Sequence, residues 1–322
     1  MRKFVFFGGK GGVGKTTVSS AYALKCANAG LDTLVVSTDP AHSTSDVFDQ
    51  QFDDAPKAVD GVDGLWAMEI DPEAEVEHHL METKRALVDQ VSAGLVNEID
   101  RQIEMAHQTP GAYEAALFDR FIDVMQESDE YDRVVFDTSP TGGTLRLLSL
   151  PEFLEGWIER LLMKRKQSVK LFERAAIGNN EPRRMMDGDP IIARLEARKE
   201  QFEFAGDTLR DEASFFLVVN PDELSVRETR RAVDRLRDYD LDVRGLVVNK
   251  LAPEPDEGEE GTAAQFLRQR VATERERLRE LHDTFDVPVV AEIGLRVAEV
   301  KGDLLTAVAS EIGVEVEAEP PT

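Results

Sequence analysis

Cysteine is nearly absent: Cys26 is alone in 322 residues. One cysteine cannot close an intrachain disulfide, and it cannot supply the thiolate pair of a zinc knuckle within one subunit. Its place in an apolar, helical stretch predicts a small buried hydrophobe. The five histidines (His42, His78, His79, His107 and His282) show no ligand spacing, and adjacent His78 and His79 would point different ways on a helix. No apolar run reaches the roughly 18 residues that a membrane helix needs, and no signal peptide is evident, so the expectation is a soluble, cytoplasmic protein. Lysine is scarce too, with 12 against 26 arginines. Basic residues total 38 against 63 acidic ones, a formal charge of -25 spread along the whole chain. Without a basic stripe to neutralise phosphates, nucleic acid is not an expected partner. A dispersed acidic surface poor in lysine predicts a halophilic protein, because high salt screens its self-repulsion.

Against these absences stands a glycine-rich stretch, residues 8–17, Gly-Gly-Lys-Gly-Gly-Val-Gly-Lys-Thr-Thr. It follows the apolar run 4–7 and precedes a helical pattern over 17–29 that Gly30 closes. Strand, glycine-rich loop and helix make the context in which a phosphate-binding loop is expected. Glycines let successive N–H groups curl around phosphate oxygens, and the helix N-terminus favours negative charge. Gly11, Gly12, Val13, Gly14, Lys15, Thr16 and Thr17 form the predicted cradle. Lys15 would reach the β and γ phosphates, and the Thr16 hydroxyl would bind Mg2+ directly. Lys10 is an extra lysine near the loop's start, hard to aim at its own loop's phosphates. It is either a solvated loop residue or a group that reaches the nucleotide of a facing subunit.

The rest reads as one large α/β domain with a helical insertion. Residues 33–37 form a buried parallel strand running into Ser-Thr-Asp-Pro-Ala-His-Ser, where Asp39 is either a turn residue or a group that orients water near the γ phosphate or the Mg2+ shell. Residues 55–64 are loop, 65–70 a strand, 73–104 a charged helical region interrupted near Gly94, and 113–127 a helix. Residues 131–137 form a strand ending in Asp137, the second aspartate that phosphate-loop enzymes use on the Mg2+ shell through water; a buried strand end is the plainer alternative. Residues 138–143 are a small-residue loop able to respond to the γ phosphate.

No strand pattern interrupts residues 144–212. Leu154, Trp157, Ile158, Leu161 and Leu162 recur at helical spacing with Met163 beside them, and Met185 and Met186 lie in a later loop. The stripe is either core or the lining of an adaptable apolar groove. Strands over 214–220, 243–248 and 287–291 then alternate with helices over 226–237, 263–281 and 303–311. Asn249 ends the second of these strands, where it could read a base edge or cap a turn. Pro288 predicts an edge strand or a strand start. The division expected is an α/β core over 1–143 and 214–313, with long helices from 73–127 reaching toward a helical subdomain over 144–213, and an acidic flexible tail over 314–322.

With these motifs in place the chain resembles a known group. Residues 10–17 resemble the deviant phosphate loop of the septum-site-determining, partitioning, nitrogenase-iron-protein and arsenical-pump ATPases. Asp-Pro-Ala-His-Ser at 39–43 and Asp-Thr-Ser-Pro-Thr-Gly-Gly-Thr-Leu-Arg at 137–146 are similar to the branch that drives arsenical pumps and targets tail-anchored proteins, and the spacing from Pro221 to Asn249 agrees. The resemblance, to a haloarchaeal-like member, implies a mostly parallel sheet flanked by helices with an inserted helical subdomain. It further implies a Mg2+-dependent ATPase acting as a homodimer around two ATP molecules. Lys10 would cross to the partner's ATP, Asp39 would polarise the attacking water with Mg2+ nearby, Asp137 would begin the second switch, and Asn249 would contact adenine. Asp222 takes the place of a family glutamate that approaches nucleotide across the dimer, and Gly143 replaces a histidine of the family loop. The targeting members' paired zinc cysteines are missing, so no structural zinc is expected, and an arsenite-stimulated pump subunit would lack its thiolates. The implied partners are the transmembrane helix of a client, gripped near residues 154–186, and a membrane receptor. The alternatives are that pump subunit, or a nucleotide-switched positioning protein of the kind found in cell division.

Overall fold

A computed structural model describes residues 2–38, 43–71, 73–77, 81, 112–137, 156, 158–165, 167 and 190–316. Eight strands make one sheet: β1 (Phe4–Gly8), β2 (Thr33–Ser37), β3 (Lys57–Ala58), β4 (Leu65–Glu69), β5 (Arg133–Asp137), β6 (Ala213–Val219), β7 (Val243–Leu251) and β8 (Val289–Gly294). Their order is β3-β4-β2-β5-β1-β6-β7-β8, parallel throughout except where β3 meets β4. Parallel strands covered on both faces need continuous apolar runs, and Phe-Val-Phe-Phe in β1 and Phe-Phe-Leu-Val-Val in β6 supply them.

Alternation along β1 divides the interior into two cores. Phe4 and Phe6 face one side, where Phe6 stacks on Phe136 and Phe215 with ring centroids 4.5 and 4.9 Å away. Val5 and Phe7 face the other, beside Val18, Tyr22 and Val35. Each such buried side chain contributes about 1.5–3 kcal/mol against exposure. Helices α1 (Lys15–Asn28), α2 (Ser43–Phe48) and α7 (Asp303–Glu311) lie with the second core. Helices α3 (Ala112–Gln126), α4 (Pro190–Asp211), α5 (Glu223–Asp238) and α6 (Thr262–Thr284) supply the first. Helix α5 shows why: Val226, Thr229, Val233 and Leu236 recur at helical spacing and are buried, whereas the arginines between them are not.

The expected α/β class, with its mostly parallel sheet and flanking helices, is the one observed. The described residues between 144 and 211 are helical, β6 already begins at Ala213, and Ile158, Leu162, Phe202 and Leu209 join the same core as Phe6 and Phe215. Three local readings change. Two residues of the expected loop 55–64 form the edge strand β3, too short to show any period. Strand β7 continues through Asn249 to Leu251, and β8, an edge strand as Pro288 suggested, starts at Val289. Residues 314–316, expected in the flexible tail, are instead held down. Ile312 and Val314 are buried, and the Tyr22 hydroxyl donates to the Glu315 carbonyl at 3.2 Å. The buried Arg133 guanidinium donates to Val316 O at 2.9 Å. Residues 317–322 lie outside the described residues.

Candidate nucleotide site

The glycine loop leaves β1 at the centre of the sheet, where strands on either side diverge in chain order, and it enters α1 at Lys15. Two glycines are required by their surroundings. Gly9 has φ +146, and a Cβ there would lie 2.2 Å from the Val218 carbonyl oxygen of β6. Gly14 has φ +93, and a Cβ there would lie 2.4 Å from Asn249 Nδ2. The loop is thus wedged between β6 and β7. Val13, 1 % exposed, plugs it into the core beneath, while Gly11 and Gly12 face solvent. Gly14 offers no side-chain cap to α1 and the first turn carries no acidic residue, which leaves the positive end of the helix for an anion.

Lys15 and Thr16 follow on the first turn. Lys15 Nζ sits 3.5 Å from the Lys10 carbonyl, a long contact folded back over the loop. The Thr16 hydroxyl donates to Asp137 Oδ2 at 2.6 Å, and Asp137 is 2 % exposed. Strand pairing brings this about, since Asp137 is in register with Phe7 on one side and Ser37 on the other. The Thr38 N–H also donates to the Asp137 carbonyl at 3.3 Å. Asp39 lies outside the described residues, but Ser37 and Thr38 bring the chain to the same sheet end. Just past it, buried Glu69 accepts from the Ser45 N–H and hydroxyl, both at 2.8 Å, and so ties α2 to β4.

Strand β7 closes the far side. Asn249, 7 % exposed, donates through Nδ2 to the Val13 carbonyl at 2.7 Å and accepts from the Lys250 N–H at 2.9 Å. Lys250 has φ +65, and its Nζ donates to the Gly12 carbonyl at 2.6 Å. A cavity of about 380 Å3 opens here, between Lys15, Thr17, Asn249, Arg296 and Val300. That is within the range of small-molecule sites. Arg296 is ion-paired to Glu311 of α7, which fixes the outer wall.

The structure therefore brings Lys10, Gly11, Gly12, Val13, Gly14, Lys15, Thr16, Thr17, Asp137 and Asn249 together. Asp222 stands apart: its Oδ1 accepts from the Ser225 N–H at 2.8 Å as the N-cap of α5. It lines a second cavity of about 280 Å3 with Asn220, Lys250 and Glu274. Of the apolar candidates, Leu161 is half-buried and Met163 is 57 % exposed, whereas Ile158 and Leu162 turn into the core. Leu154, Trp157, Met185 and Met186 lie outside the described residues. Glu69, Lys250 and the 293–300 wall were missed from sequence. A glutamate ending an otherwise apolar strand was the available signal for the first; nothing local marked the other two.

Among the described residues no group of three or more His, Cys, Asp or Glu gathers. Thr16 and Asp137 instead present a hydroxyl and a carboxylate side by side at a phosphate-type loop, an all-oxygen pair that suits Mg2+ completed by phosphate and water. Cys26 is fully buried, and that burial pushes its thiol pKa up.

The sequence profile of the anion-transporting ATPase family matches residues 2–312. A protein of Aquifex aeolicus named as an arsenical pump-driving ATPase is 33% identical over 286 residues, covering 88% of this chain and 90% of its own. A similarly named protein of Halobacterium salinarum is 36% identical over 305 residues, 93% of this chain but 42% of its own length. ATPase GET3A of Arabidopsis thaliana is 33% identical over 303 residues, 93% of this chain and 80% of its own.

Proposed function

We propose that this chain, which belongs to the anion-transporting ATPase family and is an ATP hydrolase, works as a Mg2+-dependent homodimer whose nucleotide-driven closure controls the binding and delivery of tail-anchored membrane proteins. The observation that carries the nucleotide part is the Thr16–Asp137 pair, 2.6 Å apart at the foot of a glycine loop and a helix N-terminus. The targeting part rests on the kinship with the GET3 ATPases and on the motifs at 39–43 and 137–146.

Each residue has a chemical task. The loop N–H groups and Lys15 hold the β and γ phosphates and offset the charge that builds as the β–γ bond breaks. Thr16 would hold Mg2+ directly, and Asp137 would hold it through water; the bound ion would supply further charge neutralisation on the phosphates. Asp39 accepts a hydrogen bond from the water that attacks the γ phosphorus in line, giving ADP and inorganic phosphate with no covalent intermediate. Lys10 reaches the nucleotide of the facing subunit, so ATP draws two subunits together. Asn249 and the 293–300 wall hold the adenosine part. Asp222 is already spent on capping α5, so it contributes less across the dimer than a longer carboxylate would.

Closure would align the helical segments of both subunits into one apolar groove, to which Leu161 and the exposed Met163 contribute. No described helix is itself long and apolar enough to cross a membrane. The test is site-specific crosslinking from Leu161 or Met163 to a tail-anchored helix, in high salt, with and without ATP. A crosslink that requires nucleotide is expected; its absence removes the targeting reading while leaving the ATPase in place. The acidic excess fits work at high salt in a cytoplasm. Helical circular dichroism and dimer content should fall from molar to millimolar KCl, and unchanged values would remove the halophilic reading.

The names of two relatives favour a second reading, an arsenite-stimulated pump subunit. Cys26 argues against it, being single, buried and held protonated by burial. ATPase rate with and without arsenite decides: at least a tenfold stimulation would replace the targeting reading.

A further inference from the structure

Asn249 and Lys250 grip the phosphate loop from behind, and we propose that they form its positioning clamp, with Lys250 setting affinity for the nucleotide's phosphates. The proposal rests on the nucleotide-binding reading of this loop and adds a residue to it. Lys250 Nζ lies 2.6 Å from the Gly12 carbonyl, and Asn249 Nδ2 lies 2.7 Å from the Val13 carbonyl. No peptide bond here is cis. In a trans peptide the C=O and the following N–H point in opposite directions. Holding the Gly12 and Val13 carbonyls toward β7 therefore turns the Val13 and Gly14 N–H groups the other way, into the loop.

A second contact agrees with that orientation. The Val13 N–H is directed at the Lys10 carbonyl across the loop at 3.4 Å, and Lys15 Nζ rests on the same oxygen at 3.5 Å. Both contacts are long. Two donors thus converge on one acceptor in the loop's interior, where a phosphate oxygen would take its place.

The backbone at Lys250 is built for this reach. It is one of three non-glycine residues with positive φ among the described residues, at +65°, and it does so inside strand β7. A lysine held in the left-handed region persists only where its surroundings over-determine it, and such positions cluster at ligand clamps. Here the Asn249 carboxamide oxygen accepts the Lys250 N–H at 2.9 Å and holds the twist, which aims the side chain back at Gly12 rather than along the strand. The contact falls to one of the 12 lysines of a chain that uses arginine about twice as often. Lys250 acts on the loop rather than on the reacting atoms and is a positioning residue.

The test measures ADP affinity by calorimetry and ATPase kinetics in high KCl for the wild type, Lys250→Met, Lys250→Gly and Lys250→Arg. Glycine accepts φ +65 without strain, so Lys250→Gly removes the ammonium while easing the backbone, which guards against misfolding. Loss of one charge-assisted hydrogen bond should weaken ADP about tenfold in both Met and Gly variants. KM for ATP should rise with it, kcat at saturation should stay within about threefold, and Lys250→Arg should recover most of the affinity. Met and Gly variants that bind ADP within twofold of wild type would overturn the clamp, as would an arginine variant as weak as methionine. A wild type that binds no ADP would instead overturn the nucleotide reading itself.

Discussion

The phosphate loop and the outer face of helix α4 are both polar, yet they hold their side chains in opposite ways. Around the loop each residue is fixed from more than one direction: Gly14 by φ +93 and by Asn249, Asp137 by two flanking strands and Thr16. On α4, Lys199 lies between Glu159 at 3.2 Å and Glu203 at 3.1 Å, and both partners are substantially exposed. Such surface pairs contribute little and tolerate exchange. A site built from backbone geometry names its residues, whereas a solvated helix face names only its period. Substitutions should therefore separate the two regions by orders of magnitude.

The largest effect belongs to Lys15→Ala, which should lower turnover by about 10^3-fold or more, as loss of a group that balances transition-state charge does. Asp39→Asn should leave ATP binding intact and remove hydrolysis; near-normal turnover in that variant would cancel its water-orienting role. Gly14→Ala comes next. An alanine must adopt left-handed backbone, at about 1–2 kcal/mol, and must displace the Asn249 carboxamide that stands 2.4 Å from its Cβ. We expect ADP binding to fall at least tenfold and Tm to drop by several degrees. A variant with unchanged affinity would break the contrast drawn above, because the loop would then be as permissive as α4.

Sequence made this asymmetry partly visible. The loop, Asp137 and the seven longer strands were legible because each is a local pattern: glycine spacing, an apolar run, a charged residue where the run ends. Lys250 was not, since its use depends on Gly12, 238 residues away, and on a positive φ that no residue type announces. Glu69 likewise depends on Ser45 being folded over it. The end of the chain misled through composition. Acidic and proline-rich from 315 on, it hides the alternation of Ile312, Val314 and Val316, a period of two that lays every other residue against α1 and α7. The stripe over 154–163 is the reverse case. A helical stripe could not say which positions were core, and the structure divides it between buried Ile158 and Leu162 and exposed Met163.

Asp222→Ala tests an intermediate level of constraint. The Asp222 carboxylate caps α5 through the Ser225 N–H, and loss of an aspartate N-cap costs about 1 kcal/mol. Denaturant unfolding should register that loss, with Asp222→Asn close to wild type because asparagine caps as well. If ATPase activity fell more than about tenfold in Asp222→Asn, the carboxylate would be serving the nucleotide as well as the helix.

The smallest expected effect is at Met163, and its size is what makes it informative. The side chain is more than half exposed, on a helical segment where Glu159, Arg160, Lys164 and Arg165 are exposed too. An exposed position without a hydrogen bond or cavity at stake usually changes stability by no more than about 0.5 kcal/mol. Met163→Ser should therefore leave Tm, ADP affinity and basal ATPase unchanged. If this face only solvates the helix, nucleotide-dependent crosslinking from Leu161 to a tail-anchored helix should also be unchanged. If it lines the groove, the exposed thioether supplies apolar contact area that serine cannot, and crosslinking should fall severalfold with every other property intact. Ile158 and Leu162 do not allow that separation, because they are buried and loss of capture and loss of packing would arrive together.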